Sequence, residues 1–320
     1  MKQIIITPWG AGFYADFFHV LQGLHIARTY DLQASVFWGA NSLYFNGSEI
    51  FSQIFDVNKI ALLQNSLTAS EITQHTGLEL SDIYKAKDGK PICSDLNEKD
   101  YLEMLLKIIE EKGWCIFNRY LFTIDKITDD FCTVNKRPKW NFRDLVNDVH
   151  KLKDYIISEA ASITEKASSY YCIHIRGSEK VRSAKNSAII AQKYAELLED
   201  LQLSENYVVL LTEDQIVVES FAESTKIDNL IIPSTNRQGA VGKNLLGREN
   251  IEQAPAFLSG QWSKEDKFRM AVDVVRDVWI GSKSDLFIAS KSNVSTAIKN
   301  LLHPNIKVIE PDFDEVICLG

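Results

Sequence analysis

Beyond residue 165 the chain alternates short apolar runs with amphipathic stretches of helical period, and this alternation restricts the fold more than any other feature. The runs are YYCIHIR (170–176), YVVLLT (207–212), NLIIP (229–233), DLFIAS (285–290) and IKVIEP (306–311), with helices expected at 189–201, 215–225, 265–281 and 293–302. Near-continuous apolar strands separated by helices indicate a parallel sheet covered on both faces, because a parallel connection needs a crossover that is usually a helix. The first forty residues repeat the theme as strand QIIIT (3–7), loop WGAGF (9–13), helix 14–30 and strand ASVFW (34–38), one βαβ unit. Both halves therefore read as Rossmann-like. Ligands of such sheets bind outside the carboxyl ends of the strands.

The segment 41–145 is less ordered to the eye, with a helix near 98–112 and a strand in GWCIFNRYLF (113–122). KRPKWNFRD (136–144) gathers charge and a proline before a long helix expected at 144–168, so we place a junction there, giving domains 1–145 and 146–320. At 320 residues and 45% hydrophobic content the chain can bury two cores. Five scattered cysteines without CxxC pairing suggest neither a disulfide framework nor a zinc site. No stretch of about 18 uncharged apolar residues is present, so no membrane span and a cytoplasmic location are expected. A net charge of −8 disfavours general nucleic-acid binding, and an anionic ligand would need locally placed cations.

Such cations stand at the end of the strand 170–176, where YYCIHIRGSEK places His174, Arg176, Ser178, Glu179 and Lys180 together. A guanidinium there can grip a phosphate or carboxylate through two parallel hydrogen bonds, or can simply pair with a surface acid. In LLTED, Glu213 and Asp214 follow a buried strand, where acids either cap the next helix or bond ligand hydroxyls or a base edge. Asp277 borders the apolar face of helix 265–281; it can meet the two donors of guanine, N1 and N2, or form a salt bridge with Arg276 or Lys267 on the solvent side. Ser290, Ser292 and Asn293 lie between a strand and a helix, a seat for phosphate or an ordinary N-cap. In the first half, Gly10 and Gly12 precede Phe13 and a helix carrying Asp16 and His19; the glycines permit backbone approach to a ligand or a tight turn, and His19 can line a cleft or pack.

Together these segments resemble the fucosyltransferase superfamily that joins α1,6-fucosyltransferases, nodulation fucosyltransferases and protein O-fucosyltransferases. Its HxRxxD-K motif matches His174, Arg176, Glu179 and Lys180, with Glu179 where Asp is usual; its TDD strand end matches Thr212, Glu213 and Asp214. Its D-x7-D-F-L-V-x-T-x-S-S element matches Asp277, Asp285, Ser290, Ser292 and Asn293, and its GxGFxxxxxH pattern matches Gly10, Gly12, Phe13 and His19. The resemblance covers residues 165–303 well, touches 1–50, and leaves 51–145 unmatched.

The resemblance implies an α/β fold of GT-B type, two Rossmann-like domains with parallel sheets facing a central cleft. It implies an inverting transfer of a sugar, L-fucose foremost, from a GDP-sugar to a hydroxyl of a glycan acceptor, with no metal or other cofactor. Arg176, Ser292 and Asn293 would hold the diphosphate, Asp277 would read guanine, and His174, Lys180, Glu213, Asp214 and Ser290 would complete the donor side. Gly10, Gly12, Phe13 and His19 would lie on the acceptor side, with Glu179 the first choice of base and Asp16 the second. Some members carry a further acid after the lysine, where this chain has Arg182, Ser183 and Ala184. A related transferase using another nucleotide sugar, and a catalytically silent nucleotide-sugar binding module, are the alternatives. Oligomeric state is not legible.

Overall fold

Strand β1 (Gln3–Ile6) is buried at every residue and pairs in parallel with β2 (Gln33–Val36) on one side and β3 (Trp114–Phe117) on the other. This arrangement comes from a computed structural model, which describes residues 2–8, 10–39, 42–64, 67–78, 96–122, 132, 141–176, 184–203, 205–234 and 263–313. Contacts divide the chain into two units, Met1–Lys153 and Asp154–Gly320.

In the first unit, β1 and β2 are joined by α1 (Phe13–Tyr30), the crossover expected from the sequence. Fifteen of its eighteen residues are buried, so α1 is a core element rather than a one-sided surface helix. Gly23 allows its close approach to the sheet, for a Cβ there would stand 2.6 Å from Ile6 Cδ1 and 3.1 Å from Phe117 Cδ1. Short helix α2 (Phe51–Ile54) follows, and Thr68 and Glu71 close a capping box on α3 (Ala69–Thr76). The helix before β3, α4 (Glu98–Lys112), is capped by Asn97 and ends on Gly113, whose φ of 83° suits glycine.

The helix expected at 144–168 is two helices, α5 (Phe142–Val149) and α6 (Asp154–Thr164). Between them the chain prefers strand-like pairing. Asp56 donates its N–H to the Lys151 carbonyl at 2.6 Å, Lys153 donates to Ile54 at 3.0 Å, and Phe55 bridges Leu152. Leu152 and His150 are buried, and His150 Nε2 lies 2.9 Å from the Tyr14 hydroxyl, so burial of these two side chains outweighs continued helix. The unit division at Lys153 falls within this break, a little beyond the junction read at 145/146.

The second unit is a five-stranded parallel sheet in the order β6-β5-β4-β7-β8. Its strands are β4 (Tyr171–His174), β5 (Val208–Leu211), β6 (Leu230–Ile231), β7 (Leu286–Ala289) and β8 (Lys307–Ile309). Its further helices are α7 (Ala184–Asp200), α8 (Gln215–Ser224), α9 (Lys264–Gly281) and α10 (Asn293–Leu301). Ile173, Leu210 and Ile288 pack with Tyr194, Leu198, Val217 and Phe221 of α7 and α8. Helix α9 lies against β4 and β5, and Cys172 and Val209, which alternate with those residues along the strands, are equally buried. Burial on both faces explains the continuous apolar runs.

Gly23→Ala should lower the denaturant midpoint. Overpacking costs about 1–3 kcal/mol and the gain in helix propensity offsets about 1 kcal/mol of it. A midpoint equal to or above wild type would contradict the close packing of α1 on β1.

Candidate functional site

The carboxyl ends of β4 and β7 meet because His174 pairs with Ala289 in the parallel ladder. Ser290 donates its N–H to the His174 carbonyl at 3.1 Å, and the Ser290 hydroxyl accepts the Arg176 N–H at 3.1 Å. The His174 ring then fixes the next turn: Nδ1 lies 2.8 Å from Ser295 Oγ, 3.0 Å from Ser290 Oγ and 3.5 Å from Ser292 Oγ. Ser292 caps α10 by accepting the Ser295 N–H at 3.0 Å. His174 is 4% exposed; burial, with a lesser contribution from the Arg176 charge, pulls its pKa down to about 3, so the imidazole is neutral.

Arg176 is half-buried and donates from Nη1 to the Lys291 carbonyl at 3.1 Å, one residue before the cap of α10. A permanent cation therefore stands beside a helix amino end, whose first N–H groups have no intrahelical acceptor and carry partial positive charge. Asn293, the first residue of α10, is exposed there. The arrangement suits a diphosphate or carboxylate. Of the sequence-selected residues, His174, Arg176, Ser290, Ser292 and Asn293 come together here. Ser295, buried at 1% exposure, was missed; its spacing of three from Ser292 was the available signal. Glu179 and Lys180 lie outside the described residues.

Asp214 takes the structural alternative. Its Oδ1 accepts the Ile216 N–H at 2.9 Å as the cap of α8 and its Oδ2 accepts the hydroxyl of buried Ser187 at 2.8 Å. Glu213 beside it is half-buried.

Asp277 belongs to a second cluster, where the salt bridge with Arg276 forms in the interior rather than on the solvent side. Arg276 is 1% exposed and holds Asp277 Oδ1 from Nε at 3.1 Å and Nη2 at 2.8 Å. Its Nη1 reaches Glu159 of α6 at 2.7 Å, Asp273 at 2.9 Å and the Ser234 carbonyl at 3.2 Å. Arg269 completes the set, bonding Glu159 through both oxygens and Asp273 at 2.8 Å. Burial acts to lower the Arg276 pKa, but Asp277, Asp273 and Glu159 outweigh it and raise it; Glu159 is lowered, chiefly by its hydrogen bond from Arg269. Arg276 was read from sequence only as a solvent-side partner of Asp277 and Glu159 was not selected, since nothing there separates a buried arginine from a surface one.

In the first unit Gly10 has φ 86° and Asp16 Oδ1 accepts the N–H groups of Gly10 at 3.1 Å and Ala11 at 3.2 Å. Asp16 is fully buried as the staple of this loop, which corrects the expectation that it stands ready as a base. Phe13 packs edge-on to Trp38 and Tyr44 and donates its N–H to the Tyr44 hydroxyl at 3.0 Å. A Cβ on Gly12 would meet nothing within 4 Å, so its surroundings admit backbone approach. His19 is a packed residue rather than a cleft residue: it stacks on Phe117 at 4.4 Å, contacts the Phe117 carbonyl at 3.3 Å through Nε2, and burial lowers its pKa to about 4.

The whole fold has solved counterparts. NodZ alpha-1,6-fucosyltransferase soaked with GDP-fucose aligns with TM-score 0.56 and 12% identity over 98% of this chain and 96% of that one. Fucosyltransferase NodZ from Bradyrhizobium aligns at 0.55 and 12% identity over 94% of each chain. POFUT1 in complex with GDP-fucose aligns at 0.53 and 10% identity over 96% of this chain and 97% of that one. The chain has a fucosyltransferase-like fold. It is α/β of GT-B type, as the sequence motifs implied. No protein-family model and no curated protein matches the chain by sequence. Among the described residues no helix is long and apolar enough to cross a membrane, and no three His, Cys, Asp or Glu side chains are grouped to hold a metal ion.

Both buried histidines have folded pKa values below the unfolded 6.5. Their contribution to stability is whole above pH 6.5, because both states are then neutral. It declines as pH falls below 6.5, where the unfolded chain binds protons that the native rings refuse, down to about 4 for His19 and about 3 for His174. Denaturant midpoints should therefore drop between pH 7.5 and 5, and less so in His174→Asn. An equal drop in that variant would contradict the buried neutral ring.

Proposed function

We propose that the protein is an inverting glycosyltransferase that moves L-fucose from GDP-fucose to a hydroxyl of a glycan acceptor without a metal ion. The observation carrying this reading is the Arg176 guanidinium, tied to the Lys291 carbonyl beside the amino end of α10 at the carboxyl end of β4. The shared fold of proteins solved with GDP-fucose supports the choice of donor.

On this reading Arg176 and the first turn of α10, with Ser292 and Asn293, receive the diphosphate. His174 and Ser290 set their geometry through the contacts described above. As the bond from the anomeric carbon to the diphosphate oxygen breaks, negative charge grows on GDP, so a fixed guanidinium stabilises the transition state more than the ground state. The imidazole of His174 stays neutral, which leaves the cationic role to Arg176. An acceptor hydroxyl attacks the opposite face, giving inversion, while a carboxylate takes its proton. Glu179 is the proposed base, since Asp16 is committed to the glycine loop. Lys180 and Glu213 are proposed further donor-side contacts, and Asp277 the reader of guanine.

Calorimetric titration in EDTA tests the reading. GDP should bind, UDP and NAD should bind at least tenfold more weakly, and Arg176→Ala should weaken GDP by roughly tenfold or more, the loss of charge-assisted hydrogen bonds to a phosphate. Preference for UDP, or a requirement for divalent metal, would overturn it. GDP-fucose that binds but releases no GDP with any hydroxyl acceptor would make the chain a binding module instead.

A further inference from the structure

Arg276 poses a physical question that chemistry at the diphosphate does not answer. Taking a guanidinium out of water is costly, and apolar residues of similar volume often stabilise a fold as well as or better than a buried ion cluster. Stability alone is therefore a poor account of a side chain 1% exposed with carboxylates around it. What the cluster does supply is geometry. Two guanidinium nitrogens converge on one oxygen of Asp277, while Nη1 is anchored to Glu159 on α6, Asp273 on α9 and the Ser234 carbonyl beyond β6. A helix carboxylate otherwise samples several rotamers, and this one is referred to three separate elements.

Among the described residues, the carboxylates of Glu159, Asp273 and Asp277 meet the guanidinium groups of Arg269 and Arg276 in one connected set of ion pairs.

We propose that Arg276 is a positioning residue: it fixes the Asp277 carboxylate to accept from N1–H and the 2-amino group of a guanine base, so that base selection depends on the Glu159–Arg276–Asp277 relay. This rests on the guanine role of Asp277 in the donor reading.

The test compares GDP with inosine diphosphate, which keeps N1–H and lacks the 2-amino group, on the full chain. Wild type should prefer GDP by about tenfold or more, the cost of losing a hydrogen bond to a charged acceptor. Arg276→Lys keeps a charge but loses the paired hold on Asp277, and should bring the two affinities within about twofold; Glu159→Gln, which loosens the anchor of Arg276, should reduce the preference in the same direction. Both are checked for cooperative melting, and Glu159→Gln decides if Arg276→Lys does not fold. A purely structural role would lower melting temperature without moving the ratio. Equal binding of the two nucleotides by wild type, or folded variants that keep the preference, would overturn the inference and leave the diphosphate reading standing. Absence of any GDP binding would overturn both.

Discussion

The contact between His174 Nδ1 and the Ser295 hydroxyl joins the end of β4 to the first turn of α10, and the placing of Arg176 beside that turn depends on it. Ser290 and Ser292 approach the same nitrogen, and Ser290 also accepts from the Arg176 backbone, so ring, loop and cation share one network. The ring in this network is neutral. Burial keeps it so and the adjacent guanidinium reinforces the effect. Buried polar groups satisfied in this way rigidify their surroundings, and a preorganised cation needs little rearrangement when charge develops on a leaving group.

The strand ends of the two units differ in chemistry although both belong to parallel sheets. In the first, Asp16 places a carboxylate under the glycine loop and takes two of its N–H groups, so negative charge sits where a phosphate loop would need donors. In the second, Arg176 and the amino end of α10 leave positive charge. The two loops thus carry charge of opposite sign at the same place in a similar architecture. Within the second unit the Arg276 cluster ties α6 to α9 through buried ion pairs.

The alternation of apolar runs and helical stretches made the parallel sheets legible, because strands covered on both faces leave continuous apolar sequence. It did not reveal the end of α5 at Val149, which depends on pairing of 151–153 with 54–56, a contact nearly one hundred residues distant in sequence. Among candidate site residues, Arg176, Ser290 and Ser292 were legible because they follow strands. Asp214 was selected on the same grounds, and Asp16 and His19 for their place on the helix after the glycine loop, yet helix capping, hydrogen bonds to the loop and ring stacking occupy them. Position after a strand identifies who can reach a ligand; it does not say which groups the fold has already used. Arg276 shows the converse, since its burial arises from α6 and from the end of β6, neither of which is visible from its own helix.

A crystal structure of the protein soaked with GDP tests the central claim most directly. The account predicts the diphosphate within hydrogen-bond distance of the Arg176 guanidinium and of the first N–H groups of α10. Diphosphate bound at the glycine loop of the first unit, or away from Arg176, would contradict it.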